Sequence, residues 1–400
     1  MRKFWLLYYL AASSFFSVIN IASQEKDIIS SFLEKDFLFS DIAGFRKNLE
    51  AIGLNIEVYY IGEMFWNMRG GLNTKNAREY RGDFSIYSEI DTGPLGLWEH
   101  GKFFLHLQEE HGYSLSREHT GDYQGMSNID ADDFKQVSEI WYCHSFFNDL
   151  FWLKFGKQEM NEHFAFVDYG GEFINSSAGL IPNVSIDTYP DTGWGLTIGY
   201  NPFEWYSITF GLFEGRPDGG RAISNTLNNL RGPFTILENA LHYTAFKKDG
   251  DLRFGMWRNG NNTEKFPSGE AGNTRGLYLT IDQNIFEEIE DEEQGLGIFF
   301  QYGWAPPSLS EVSHYIGFGF AWTGLIPGRD QDVIGIALYN ARFSHMAGFE
   351  KNSETALELF YKFQFAGWGS IKPDFQYITN PGGSNLRSVF AGGIRVELAF

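Results

Sequence analysis

From Gly53 to the end of the chain, apolar and polar side chains alternate in one segment after another. In the C-terminal stretch, GGIRVELAF, every second residue from Ile394 to Phe400 is apolar, whereas Arg395 and Glu397 point the other way. Successive side chains of a β-strand face opposite sides, so this stretch predicts a strand with one apolar face. One such strand could also end a soluble protein. The same pattern must therefore be sought in the rest of the chain.

The same alternation predicts sixteen strands, an even number, and most of them approach the roughly 9–11 residues that a tilted strand needs to cross a bilayer. They cover residues 53–65, 80–91, 101–111, 135–146, 150–158, 193–200, 203–213, 236–246, 250–259, 273–283, 295–304, 313–323, 332–343, 355–365, 369–378 and 386–400.

Short and long connections alternate between these segments, as in outer-membrane barrels with short periplasmic turns and long external loops. The short ones follow even-numbered strands, at 147–149, 201–202, 247–249 and 366–368. The long ones follow odd-numbered strands, at 66–79, 112–134, 159–192, 214–235 and 260–272. Two connections after even-numbered strands, 284–294 and 324–331, are longer than this rule expects. The fold class expected is therefore all-β, a 16-stranded antiparallel transmembrane barrel over residues 53–400.

A closed barrel explains why the chain can end on a half-apolar strand. If the last strand pairs with the first, no edge is left unpaired, as a hydrocarbon environment requires. The apolar face then meets lipid, and Arg395 and Glu397 face the lumen.

Composition narrows the function classes. The formal net charge is -20, from 51 acidic and 31 basic residues, which argues against nucleic acid as a partner. Aromatic residues make up 18% and glycines number 45, as expected of short strands and turns. The single cysteine, Cys143, allows no intramolecular disulfide. We find no nucleophile elbow, phosphate-binding loop or zinc-protease helix, and we expect neither an enzyme nor a cofactor.

The N-terminus has the layout of a secretory signal peptide. Arg2 and Lys3 precede an apolar stretch and then small residues near Ser23. We expect residues 1–23 to be a signal peptide, and residues 24–52 to be a periplasmic segment that is helical around 44–51.

Several segments carry a resemblance to the carbohydrate-selective porins of the OprB type. In order along the chain they read GFRKNLEAIGLNIEVYY near the start, NMRGGL (67–72), FGKQ (155–158), GLYLTIDQ (276–283), IPGRDQDVIGIAL (326–338), ELFYKFQF, IKPDFQYITNPGG and GGIRVELAF. The resemblance covers residues from about 44 to 400, and its specificity comes from the order of the pieces.

The resemblance implies an outer-membrane channel of a Gram-negative-type bacterium, with membrane lipid around it and sugars as transported solutes. It also implies a pore narrowed by inward-folded loops, and a terminal aromatic, Phe400, that signals assembly to the barrel-assembly machinery. The acidic stretch 287–294 is longer than a periplasmic turn of this kind should be.

Alternation also gives the side chains expected to face the lumen. Hydrogen-bonding groups there could bind sugar hydroxyls, although cross-strand ion pairs that brace the wall are an alternative role. The candidates are Glu57, Asp83, Glu89, His106, Gln108, Glu139, Lys154, Arg253, Asp282, Gln301, Glu358, Lys362, Asp374, Gln376, Arg395 and Glu397.

The longest loop, residues 159–192, combines acidic residues, a histidine and aromatics. Folded into the lumen it would form the constriction; as a solvated external loop it would not. The candidates are Glu159, Glu162, His163, Asp168, Tyr169 and Glu172. Glu159, Glu162 and His163 have no flanking metal-binding pattern, so we expect no metal.

Two alternatives from other classes remain open at this point. One is a secreted, soluble β-rich protein that binds or hydrolyses carbohydrate. The other is a barrel that acts as a membrane-embedded enzyme or an adhesin.

Overall fold

The computed structural model describes Leu33 and residues 35–39, 44–215, 232–288 and 294–400. The predicted signal peptide, residues 1–23, lies outside the described residues, as does much of the predicted segment 24–52. Within these ranges, no helix is long and apolar enough to cross a membrane.

The described chain is almost entirely β-structure. It includes two short α-helices, α1 (Phe45–Glu50) and α2 (Ser176–Gly179). A π-helical turn lies at Ser116–Thr120, and 3-10 turns lie at Asp168–Gly170 and Pro381–Gly383. The strands are β1 (Leu54–Arg69), β2 (Arg78–Asp91), β3 (Gly101–Gly112), β4 (Phe134–Phe146), β5 (Phe151–Gln158), β6 (Gly193–Phe203), β7 (Tyr206–Phe213), β8 (Phe234–Ala245), β9 (Lys248–Glu264), β10 (Ala271–Glu287), β11 (Gly295–Trp304), β12 (Val312–Thr323), β13 (Val333–Phe343), β14 (Ser353–Ala366), β15 (Gly369–Thr379) and β16 (Val389–Ala399).

Each strand pairs antiparallel with its neighbours in sequence, and β1 pairs with β16 to close the barrel. In the closing pair Glu63 lies opposite Arg395, and Tyr59 lies opposite Ala399. Every strand therefore has two partners, and the backbone groups of the wall are hydrogen-bonded within it. The predicted 16-stranded antiparallel barrel is confirmed.

The two faces of the wall differ as the alternation predicted. In β14, Leu357 and Leu359 are 40% and 44% exposed on the outside, whereas Glu358 between them is 0% exposed. The buried apolar cluster of the molecule lies inside the barrel, between the wall and the loops that enter it. An outward belt of large apolar side chains with a filled interior is the arrangement expected when lipid surrounds the barrel.

One predicted turn is wrong by several residues. The sixth and seventh strands are joined at Glu204–Trp205, not at 201–202, because β6 continues to Phe203 through a register shift after Tyr200. Proline has no N–H to donate to a ladder, and the irregularity accommodates Pro202 within the strand. The eighth and ninth strands turn at 246–247, slightly before the predicted 247–249.

The acidic stretch 287–294 begins as strand. β10 continues to Glu287 and β11 begins at Gly295, while residues 289–293 lie outside the described part of the chain.

The N-terminal residues contact the rim where the barrel closes. The Leu38 N–H donates to the Ala399 carbonyl at 2.8 Å, and the Phe39 and Phe400 rings lie 5.7 Å apart. From α1, the Arg46 guanidinium donates to the Phe400 carbonyl oxygen at 3.0 Å. The last residue of the chain is therefore held from both sides, because its own N–H donates to the Val58 carbonyl in β1.

Candidate functional site

Residues 159–192, which we call the inward segment, connect β5 to β6 and fold into the barrel. Glu159 fastens the two ends of the segment together: its carboxylate accepts hydrogen bonds from the N–H groups of Tyr189 (2.8 Å) and Asn161 (3.1 Å). The Glu159 N–H itself donates to Glu139 of β4 at 3.0 Å. The segment thus leaves and rejoins the wall at one place.

The middle of the inward segment is tied to the opposite wall by the buried Glu358 of β14. The Glu358 carboxylate accepts hydrogen bonds from the N–H groups of Ile174 (2.6 Å) and Asn175 (3.3 Å) and from the Tyr339 hydroxyl (3.0 Å). The Asn175 amide donates to Gln376 of β15 at 3.0 Å. The Glu358 carboxylate is fully buried, but these donors supply the hydrogen-bond partners that a buried polar group needs.

Further wall side chains bind the backbone of the segment along its length. Gln301 donates to the Ala178 carbonyl at 2.9 Å, and Tyr315 donates to the Ser177 carbonyl at 2.6 Å. Asp282 accepts from the Tyr169 N–H at 3.1 Å. A loop whose peptide groups are paired at so many points has a defined position in the lumen.

Apolar contacts add to these hydrogen bonds. The buried Phe173 ring makes edge contacts with Phe360 (4.8 Å) and Phe299 (5.6 Å) of the wall. Gly335 in β13 makes room for it, since a Cβ there would lie 2.8 Å from the Phe173 ring. Complete burial of a phenylalanine stabilises a fold by roughly 1.5–3 kcal/mol.

Three acidic residues of the segment pair with cations of the wall while their own side chains stay partly exposed in the lumen. Glu162 pairs with Lys154 at 2.5 Å, Asp168 with Arg253 at 3.3 Å, and Glu172 with Lys372 at 2.8 Å. The acidic side chains are 51%, 59% and 34% exposed, whereas the three wall cations are 2%, 6% and 3% exposed. We call these three residues the lumen carboxylates. Each buried cation has an acidic partner that also contacts water.

The surroundings keep two of the lumen carboxylates ionised. Burial alone would raise the pKa of Glu172, but the ammonium groups of Lys372 and Lys362, the latter at 2.6 Å, lower it to about 2. Burial opposes ionisation of Glu162 too, and the charge of Lys154 brings its pKa below the ordinary value. Burial and the same lysine lower the pKa of His163 to about 4, so its ring is neutral at pH 7.

Beside Lys154 the lumen widens into a cavity of about 500 Å³. Lys102, Trp141 and His163 contribute to its lining. The Trp141 ring lies 4.1 Å below the Lys154 ammonium and is itself buried, so it supports the wall cation. In the described part of the chain, no group of three or more His, Cys, Asp or Glu side chains is arranged to hold a metal ion, and Glu159, Glu162 and His163 form no such group.

A second loop also enters the barrel, which the sequence did not indicate. Residues 113–133 join β3 to β4, and we call them the second segment. Its Tyr123 and Gln124 N–H groups donate to Glu354 at 2.8 and 2.9 Å. Arg395 donates to Asn128 at 2.7 Å, and also to Glu63. Only the length of this loop could have suggested such a position.

The two segments bind each other as well as the wall. The Asn128 N–H donates to the Ile174 carbonyl at 2.7 Å, and the Ser176 N–H donates to the Gly125 carbonyl at 3.1 Å. Ser177 donates to the Gln124 side chain at 3.2 Å. Together they form one body inside the barrel.

The candidates taken from the sequence fall into two groups within the lumen. Some lie beneath the two segments and bind them, and all of these except Lys362 are buried: Glu139, Lys154, Arg253, Asp282, Gln301, Glu358, Lys362, Gln376 and Arg395. Others lie along the remaining wall, where they bond to one another or to neighbouring wall residues: Glu57 with Tyr59, Asp83 with Gln108, Glu89 with Lys102, His106 with Ser85, Asp374 with Gln376, and Glu397 with Lys372.

Several residues that hold the segments were missing from the sequence-based set. Lys372, Glu238 and Glu354 bind the segments directly, and Glu63 pairs with Arg395. Lys372 lies between Glu172 and Glu397. Lys372 lies two residues before Asp374 on β15, and Glu354 lies four residues before Glu358 on β14. The same alternation therefore places both side chains on the inner face.

Comparisons with known proteins agree with this architecture. Residues 75–400 match the family described as carbohydrate-selective porin, OprB family. The high-pH structure of Pseudomonas putida OprB superposes with a TM-score of 0.84 at 20% identity, covering 92% of this chain and 99% of that one. Porin B of Pseudomonas aeruginosa is 20% identical over 415 residues, 91% of each protein. The putative porin QuiX of Acinetobacter baylyi is 21% identical over the whole of both chains.

The family match covers most of the chain, and the solved OprB structure has the fold seen here. It assigns the protein to the channels of the Gram-negative outer membrane and not to the enzymes. The chain belongs to the OprB family of carbohydrate-selective porins.

Proposed function

We propose that the inward segment forms the constriction of this sugar channel, and that the lumen carboxylates select the solutes that pass it. The observation that carries the proposal is the pairing of Glu162, Asp168 and Glu172 with buried wall cations while their side chains stay 34–59% exposed. The exposed acidic oxygens are then fixed in position, and they face the water-filled part of the lumen.

Fixed carboxylates suit neutral polyols. Each oxygen can accept hydrogen bonds from sugar hydroxyls, and the carboxylates neutralise wall cations that would otherwise attract anions. The wall also offers aromatic faces for the apolar side of a sugar ring. Tyr59, Tyr87 and Phe104 form a half-buried row on the inner face, with successive ring centroids 5.8 and 6.1 Å apart.

Liposome swelling tests this selectivity. We expect proteoliposomes to admit glucose several-fold faster than gluconate, a sugar acid of similar size that carries a negative charge. The variant Glu162→Gln/Asp168→Asn/Glu172→Gln keeps the side-chain sizes and should narrow that difference.

Glu270→Gln is the matched control, because Glu270 is an exposed acidic residue paired with Lys265 in the connection between β9 and β10, outside both segments. It should behave as the unaltered protein. An unchanged glucose-to-gluconate ratio in the triple variant would rule out selection by these carboxylates.

We also propose that Phe400 is recognised during insertion by the barrel-assembly machinery, after export directed by residues 1–23. The proposal is supported by the position of Phe400 at the end of β16, the strand that must find β1 to close the barrel. If the machinery recognises Phe400 at that step, recognition takes place before Phe400 can contact Phe39 and Arg46 in the closed barrel.

A further inference from the structure

We propose that Arg258 and Arg275, on the outer wall of the barrel, bind the phosphate of a lipid in the outer leaflet. The two residues lie directly opposite each other on β9 and β10, and both are exposed. Like charges directly opposite in a sheet destabilise it. Across the described residues, neither guanidinium donates a hydrogen bond or forms an ion pair. An anion between them would remove the repulsion.

The height of the pair on the barrel corresponds to the outer membrane interface. β9 begins at Lys248, just after the tight periplasmic turn, where the Phe246 side chain is strongly exposed. Arg258 follows ten residues later. At about 3.3 Å per residue and a tilt near 40°, it lies about 25 Å above that turn, which is the height of the apolar band of such barrels. Arginine is tolerated at this level, whereas at mid-membrane it is not.

An apolar groove runs from the two arginines toward the membrane interior. It has a volume of about 530 Å³, and Phe210, Met256 and Leu277 contribute its lower lining. All three side chains are outward and more than a third exposed. A phosphate between two guanidinium groups, with an acyl chain in an adjacent apolar groove, matches the two ends of a phosphorylated lipid.

The groove lies on the outside of the barrel, on the opposite face of β9 and β10 from Arg253 and Asp282. The lipid would therefore not enter the sugar path. Binding of the lipid and passage of sugar are separate properties, which can be measured independently.

Native mass spectrometry of the intact barrel in detergent tests the proposal, with diphosphorylated lipid A as the probe. We expect Arg258→Gln/Arg275→Gln to weaken lipid A binding by about tenfold for each arginine removed, since a hydrogen bond to a charged group contributes at least about that factor. Lipid A without its phosphates should bind the unaltered protein as weakly as lipid A binds the variant. The heat-dependent shift in gel mobility establishes that each variant is folded.

Arg78→Gln is the control, because Arg78 is an exposed arginine of β2 that lies opposite Trp66 and not opposite a second arginine. It should leave binding unchanged, and Arg258→Lys/Arg275→Lys should retain most of it. Equal binding of lipid A by the double glutamine variant, or an equal loss in Arg78→Gln, would overturn the proposal. Equal or tighter binding of phosphatidylglycerol would contradict an outer-leaflet glycolipid as the occupant.

Discussion

At the scale of single residues, Glu172 shows how one carboxylate can hold a loop and still face water. It contacts Lys362 and Lys372, which belong to neighbouring strands, while a third of its side chain stays exposed. The Glu172 ion pairs stabilise the fold only while the carboxyl group is ionised, and the two lysines keep it ionised by lowering its pKa. The residue therefore gives a stability prediction with a defined pH range.

We expect Glu172→Gln to lower the free energy of unfolding by roughly 1–2 kcal/mol at pH 7, a value reduced to allow for solvent screening. The folded-state pKa, about 2, lies below the ordinary 4.5. The stabilisation is therefore complete above pH 4.5 and is lost as the pH falls toward 2. Urea unfolding followed by gel mobility should show the difference between the two proteins shrinking over that range. A difference that stays constant down to pH 2 would contradict this assignment.

Phe400 gives a prediction that separates assembly from stability. Deleting it removes the ring contact with Phe39 and the bond from Arg46 at the rim, but no contact in the lumen. We expect outer-membrane levels in cells to fall sharply, while protein refolded in detergent keeps near-normal channel activity. Normal cellular levels would exclude the assembly role, and an equal failure to refold would make Phe400 a structural residue.

At the scale of strands, period-two alternation carried most of the information. It identified all sixteen strands, because each must present apolar groups to one side and polar groups to the other. It failed where the backbone departs from a regular ladder. The turn after β6 was misplaced because Pro202 sits in a register shift, which the alternation of side chains does not reveal.

The outer face of β14 gives a direct test of this pattern. Leu359 lies near the middle of the strand and points outward, so Leu359→Arg should destabilise the inserted barrel by roughly 2–4 kcal/mol. Leu359→Met, the control, should change stability little. Denaturant midpoints of the protein refolded into lipid vesicles would measure both. Equal stability of the arginine variant would place Leu359 away from the lipid.

At the scale of the whole molecule, the sequence predicted the wall better than the contents of the lumen. Alternation placed Glu358 on the inner face, but it could not indicate that two loops cover it. Which loop enters the barrel depends on bonds between residues far apart in sequence, such as Ile174 with Glu358 and Gln124 with Glu354. Length was the only hint that either segment enters the barrel, and no residue pattern distinguished the second segment from an external loop.

The inward segment is proposed to narrow a sugar channel. Single-channel recording with glucose titration tests this most directly, comparing the unaltered protein with one in which residues 165–186 are replaced by a short Gly-Ser linker. For the unaltered barrel we predict an ionic conductance that glucose reduces in a saturable way. For the variant, shown to be folded by its gel mobility, we predict a conductance several-fold higher and no saturable effect of glucose. Equal conductance and an equal glucose response in the two proteins would contradict the account.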